Sequence, residues 1–188
     1  MTTLADAIGI VRSVAPDATA REVALVVAIG GHESHWGDTL LQSDGTATYN
    51  WGAITKGSGW TGPTFTHTDS KWTPTGVQQY STEFRLYGTT EAGAADLYAL
   101  LVYQYPRVMA AARAGSWQDV ARLMYEGGYY RGTTPRQQAI KSYYDALRCF
   151  LLQQGIPAAA FVAALGLTEM AVWAILGWLI IRHHSRST

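Results

Sequence analysis

The stretch Ala28-Ile29-Gly30-Gly31-His32-Glu33-Ser34-His35-Trp36-Gly37 decides how the chain is read. It starts in the tail of an apolar run, Val23 to Ile29, and ends on a glycine suited to a turn. Ahead of it, Thr19-Ala20-Arg21-Glu22 has the form of a capping box: the threonine caps a helix start and the glutamate three residues on reaches back. The sequence therefore predicts a buried central helix that delivers a single carboxylate, Glu33, where it gives out. A carboxyl group mounted on a rigid element against apolar neighbours holds its proton more firmly than one in water, and a general acid needs this. A lone glutamate at a helix end is commonly just solvated, so the rest of the chain has to decide.

The chain has 188 residues, which suits one domain plus an appendage. It is 48% hydrophobic and 15% charged, with a formal net charge of zero. Nothing in that balance steers it toward nucleic acid or another polyanion. A single cysteine, Cys149, excludes an intramolecular disulfide framework and a cysteine-rich zinc site. The N-terminus has no basic start and carries Asp6 early, so it reads as a short amphipathic helix over 3–14, not as a secretory signal.

Residues 38–82 have another texture, rich in Gly, Thr, Ser and Trp. They predict loops and at most a short β-hairpin around Thr64–Tyr80. Trp51, Trp60, Trp72, Tyr49 and Tyr80 gather there. Aromatic faces among hydroxyl-rich loops suit sugar rings, although any of these rings could equally be core. Thr90-Glu91 opens a further helix to Tyr105, with Leu97, Leu100 and Leu101 on its buried face. A short helix follows at about 107–113. Ser116, with Asp119 three positions on, starts another that ends at Gly127-Gly128. Thr134-Pro135-Arg136-Gln137 starts the last, running to about Gln153.

Three short segments carry the chemistry: His32-Glu33-Ser34-His35-Trp36-Gly37, Tyr49-Asn50-Trp51-Gly52-Ala53-Ile54 and Gly127-Gly128-Tyr129-Tyr130. Between the last two lies Glu83-Phe84-Arg85-Leu86-Tyr87. Together these resemble the glucosaminidase-type peptidoglycan hydrolases of glycoside hydrolase family 73, including the flagellar muralytic enzymes, over about residues 5–150. No single segment is specific; four in the same order are. The resemblance implies a mainly α-helical, lysozyme-like domain with a loop-rich lobe bearing a short β-hairpin. It makes Glu33 the catalytic acid. It also implies a second group beyond the cleaved bond, a carboxylate or the substrate's own N-acetyl group. Asp69 of Thr66-His67-Thr68-Asp69 is the candidate carboxylate, although the family has the longer Glu there and Asp69 could instead cap a turn. Asp44 is the runner-up. Tyr129 matches the family tyrosine whose hydroxyl would orient the N-acetyl group. Asn50 and Trp51, with Trp36 and Tyr49, are read as substrate-binding residues of the cleft; Asn50 could instead fix its loop by hydrogen bonds. His32 and His35 flank Glu33, but the order His-Glu-Ser-His lacks His-Glu-x-x-His spacing, and neither metal nor cofactor is expected.

From Ala158 to Ile181 the chain carries one charged residue, Glu169, and Arg182-His183-His184 follows. At about 1.5 Å per residue such a run can cross a ~30 Å hydrocarbon core. The sequence thus predicts a hydrolase domain over 1–155, a transmembrane anchor over 156–182 and a basic tail over 183–188. A mid-span Glu169 costs about 2.5–3.5 kcal/mol unless protonated or paired in a homo-oligomer. The basic tail argues for a cytosolic C-terminus, with the enzyme domain facing peptidoglycan. The expected location is a virion membrane or a bacterial inner membrane, and the missing signal peptide suggests a bacteriophage enzyme that acts at cell entry. The expected function is cleavage of the β-1,4 bonds of peptidoglycan glycan strands. A lytic transglycosylase using Glu33 alone, and a non-catalytic virion-membrane or wall-binding protein, are the alternatives.

Overall fold

The computed structural model of the chain describes residues 2–73, 76–130 and 136–153. They fall into two compact units, Met1–Met109 and Ala110–Thr188. The first holds α1 (Leu4–Val14), α2 (Ala20–Ser34), a β-hairpin of β1 (Thr64–Thr73) and β2 (Gly76–Arg85), and α3 (Thr90–Gln104). Next comes α4 (Pro106–Ala114), within which the division falls, and then α5 (Trp117–Glu126) and α6 (Arg136–Gln153) in the second unit. The fold is mainly helical with one small antiparallel sheet, as a lysozyme-like domain requires.

Local chemistry sets the helix starts. At α2 the Thr19 hydroxyl accepts from the Glu22 N–H, while the Glu22 carboxylate accepts from the Thr19 N–H at 2.7 Å. Glu22 is buried, and one of its carboxylate oxygens serves this cap. The same box forms at α1 between Thr3 and Asp6. Thr89 caps α3 by accepting from the Ala92 N–H. The three helices pack on one another and bury Val11 of α1, Leu25, Val26 and Ile29 of α2, and Leu97 and Leu101 of α3 completely. The central apolar helix expected from Val23–Ile29 is α2.

The hairpin is longer than the sequence suggested. Its strands pair from Thr64↔Arg85 out to Thr73↔Gly76. Threonines with Phe65 on one strand and Val77, Tyr80, Thr82 and Phe84 on the other supply the β-branched and aromatic residues that a pleated surface favours. Thr55 adds a bridge to Phe84, which extends the sheet at its base.

In the second unit, α5 buries Trp117, Val120, Ala121 and Met124 on one stripe, and α6 answers with Ala139, Tyr143 and Leu147. Ser116 stands at the N-cap of α5 but does not accept a backbone N–H; its hydroxyl donates to Asp119 at 2.6 Å instead. Gly128 takes the left-handed conformation, φ 78°, that ends α5. The expected start at Thr134-Pro135 lies outside the described residues.

One expectation is corrected here. Among the described residues no helix is long and apolar enough to cross a membrane. The last of them, α6, carries Arg136, Lys141, Asp145 and Arg148 along its 18 residues, and hydrocarbon does not accept such a pattern. The segment read as an anchor, 158–181, lies outside the described residues. Among the described residues, then, nothing supports the transmembrane helix or a single-pass location in a virion or inner membrane.

Gly93 and Gly9, both helical, make opposite predictions. A Cβ at Gly93 would lie 1.7 Å from the Tyr49 carbonyl oxygen, which is backbone and cannot step aside; a Cβ at Gly9 meets nothing within 4 Å. Gly93→Ala should cost about 3 kcal/mol or more by overpacking. Gly9→Ala should stabilise by about 0.5–1 kcal/mol through helix propensity. Urea unfolding of both variants checks the sign and the contrast.

Candidate active site

The site is built on the way α2 ends. His35, Trp36 and Gly37 are left-handed in succession, with φ of 48°, 59° and 87°. Such backbone costs roughly 1–2 kcal/mol per non-glycine residue and persists only where neighbours enforce it. The neighbours are visible. The Trp36 N–H bonds Gly30 O at 2.8 Å, and its ring Nε1–H donates to Val27 O at 2.9 Å. The Ser34 hydroxyl accepts from the Gly37 N–H and donates to Trp51 O, both at 2.8 Å. Glu33 therefore sits in the last turn of a rigid helix, half-buried, immediately before a locked reversal. His32 reaches solvent, yet desolvation of its ring lowers its pKa. The His35 ring lies against that of Trp36, with centroids 4.8 Å apart.

The loop 48–54 locks against this reversal. Asn50 is fully buried: its Nδ2 donates to Ile54 O and Arg85 O, both at 2.9 Å, and its Oδ1 accepts from the Ile54 N–H at 2.8 Å. Trp51 is fully buried and its Nε1–H reaches the Thr90 hydroxyl at 2.9 Å. Asn50, Trp51 and Trp36, read from the sequence as surfaces for substrate, are buried in this structure. Tyr49 is half-buried with φ 51° and remains at the surface of this loop.

The hairpin is fastened at its base. Arg85, the last residue of β2, pairs with Asp96 of α3 at 2.8 Å, and the Tyr87 hydroxyl donates to the same carboxylate oxygen at 2.5 Å. Arg85 also donates to Thr55 O and lies over the Trp60 ring, 4.9 Å from its centroid. Burial pushes the Tyr87 phenol above its usual pKa, and the hydrogen bond and charge of Asp96 push it further. Asp96 belongs to no motif in the sequence; the only hint was that Arg85 and Tyr87, close together and headed for burial, needed an acid. Asp69 lies in β1, opposite Tyr80. Asp44 is exposed and accepts the Thr46 N–H at 2.9 Å, which makes it a turn residue and lowers its pKa.

In the second unit Tyr129 follows the α5 stop, its N–H bonded to Met124 O at 2.9 Å. The next residue, Tyr130, stacks on Tyr143 at 4.0 Å, meets Tyr125 edge-on at 5.6 Å and donates to Ala121 O at 2.8 Å. Burial raises the Tyr130 pKa to about 12. The sequence singled out Tyr129 and missed the aromatic group that fixes the chain beside it.

No family model matches the chain, and no curated protein matches it. Solved structures do. It is similar to a peptidoglycan hydrolase mutant from Sphingomonas sp. A1, with TM-score 0.56 and 24% identity over 80% of this chain and 97% of that one. The fold is that of the peptidoglycan hydrolases. The peptidoglycan hydrolase from Sphingomonas sp. A1 matches with TM-score 0.50 and 28% identity, covering 72% of this chain and 83% of that one. A C-terminally truncated glycoside hydrolase domain from Salmonella typhimurium FlgJ matches with TM-score 0.52 and 23% identity, covering 78% and 95%. The resemblance drawn from the four motifs, to glucosaminidase-type peptidoglycan hydrolases, thus extends to the whole fold. These structures come from bacteria and give the bacteriophage and virion setting no support.

The buried phenol predicts an alkaline limit. The folded Tyr87 keeps its proton to higher pH than the unfolded chain, whose tyrosine lets go near 10.0. This contribution is full below about pH 10 and is lost as pH rises above it, at no more than about 1.4 kcal/mol per pH unit. Urea unfolding between about pH 9 and 11 should show a shallower decline for Tyr87→Phe than for the wild type, and parallel declines would contradict the assignment.

Proposed function

We propose that the chain is a muralytic glycosidase that cleaves peptidoglycan glycan strands, with Glu33 as the general acid. The observation that carries this is the seat of Glu33: half-buried in the final turn of α2, next to a reversal held by Ser34, Trp36 and the 48–54 loop, in a fold shared with peptidoglycan hydrolases. Breaking a glycosidic bond needs a proton delivered to the leaving oxygen as an oxocarbenium-like centre develops. A carboxyl group fixed in place and shielded from full hydration is suited to that delivery.

Several other acids of this unit serve structural roles. Asp6 and Glu22 serve capping boxes, Asp44 closes a turn, Glu83 pairs with Lys56 at 3.1 Å, and Asp96 holds Arg85 and Tyr87. Asp69, on the hairpin, is the carboxylate we assign to the second role: stabilising the positive centre or activating the water. The family resemblance gives the Tyr129 hydroxyl the orientation of the substrate's N-acetyl group, and leaves Tyr49 as the surface residue of its loop that touches sugar.

Purified cell walls supply the test. Glu33→Gln preserves shape and removes the acid, so turbidity clearing should fall by about a hundredfold or more. Tyr129→Phe should lose much less, because it removes one orienting hydroxyl. Equal clearing by wild type and Glu33→Gln would end the role given to Glu33.

A further inference from the structure

The chain leaves α5 through a tightly closed turn. Gly128, left-handed, donates its N–H to Tyr125 O at 3.0 Å, and the Tyr129 N–H reaches back to Met124 O at 2.9 Å. These are the two bonds of a Schellman closure, whose left-handed position favours glycine. The closure holds Tyr129 from its N-terminal side only. The torsion that leads out of Tyr129 is governed by whatever holds the next residue.

That residue, Tyr130, is held on three sides. Its ring lies flat on Tyr143 of α6, with centroids 4.0 Å apart and planes 15° apart. Tyr125 of α5 meets it edge-on, at 5.6 Å and 68°. Stacked and edge-on contacts are the arrangements that the ring quadrupole favours. The Tyr130 hydroxyl donates to Ala121 O at 2.8 Å, and a carbonyl inside a helix has a second lone pair for such a donor. The two ring contacts fix the plane of the Tyr130 ring, and the hydroxyl fixes its reach. An aliphatic side chain could fill the same gap between α5 and α6, but it would leave the rotation of the chain at this point unset. Tyr129 is thus bracketed, by the closure before it and by the Tyr130 clamp after it.

We propose that Tyr130 is a positioning residue: by clamping the chain to α5 and α6 it sets the direction of the Tyr129 side chain. The proposal rests on the reading that gives the Tyr129 hydroxyl the substrate's N-acetyl group, and it adds the residue that keeps that hydroxyl in place. Tyr130 itself touches no substrate and moves no proton. A misplacement of about 1 Å in an orienting group can cost up to about a hundredfold in rate, so the clamp acts on kcat more than on KM.

A double-mutant cycle in the full chain tests this, from initial rates of wall clearing over a range of peptidoglycan concentrations. Tyr130→Leu removes the plate and the hydroxyl. It should lower kcat by about as much as Tyr129→Phe, roughly tenfold, and change KM by less than about twofold. Tyr130→Phe keeps both ring contacts and should retain about half of the activity or more. The deciding variant is Tyr129→Phe with Tyr130→Leu. It should match Tyr129→Phe alone to within about twofold, because no hydroxyl is left to misplace. Losses that multiply would overturn the proposal and leave Tyr130 a purely structural residue, as would an unchanged kcat for Tyr130→Leu. If circular dichroism shows that Tyr130→Leu does not fold, Tyr125→Leu, which takes away the edge contact and leaves the stack, runs the same cycle under the same criterion. A wild type that clears no wall defeats the muralytic reading, and a Tyr129→Phe at full rate defeats the role given to Tyr129; the proposal falls with either. Multiplied losses beside a slowed Tyr129→Phe overturn the proposal alone.

Discussion

The seating of Trp51 against the end of α2 is the constraint on which the rest depends. Three glycines permit it. A Cβ at Gly30 would sit 2.7 Å from the Trp51 ring, one at Gly37 2.5 Å from Tyr49 Cα, and one at Gly93 1.7 Å from Tyr49 O. With these side chains absent, α2, the 48–54 loop and α3 close to backbone distance. The Ser34 hydroxyl then joins the loop to the reversal, and Trp36 folds back onto its own helix. Four non-glycine residues, His35, Trp36, Tyr49 and Ala53, are held at positive φ as a result. The strain is spent on fixing one thing: where the helix stops, and hence where Glu33 stands.

A second fastening does for the hairpin what this one does for the helix. Asn50 spans the two, bonding Ile54 on its own loop and Arg85 O at the end of β2. Arg85 then turns its guanidinium to Asp96, to Thr55 O and to the face of Trp60. Breaking a partly buried pair of this kind by removing one member is costly, because the charge left behind has lost its solvent. The base of the hairpin is thus fastened both to the 48–54 loop and to α3.

How much of this could be read in the sequence depended on distance along the chain. The Thr19–Glu22 cap was legible because its partners are three residues apart. So was the apolar run of α2, and so were the four motifs and their order. What the motif residues do was less legible. Asn50 and Trp51 lie in a loop rich in glycine and aromatics, where composition does not distinguish a ring facing a sugar from a ring under the loop. The structure buries them, through partners at Ile54, Arg85 and Thr90 that no local pattern announces. Asp96 is missed for the same reason: its meaning lies in residues 85 and 87, on another element. The apolar run near the C-terminus pointed to a membrane, and among the described residues no helix meets that requirement.

The central claim is that this fold cuts glycan strands by protonating a glycosidic oxygen from Glu33. Mass spectrometry of the soluble products from purified peptidoglycan digested in ¹⁸O-enriched water tests it most directly. The account predicts new disaccharide-containing fragments whose reducing ends carry one ¹⁸O, because water completes the cleavage. Fragments ending in an anhydro-sugar without label would contradict hydrolysis, and walls that release no fragments would contradict the muralytic function itself.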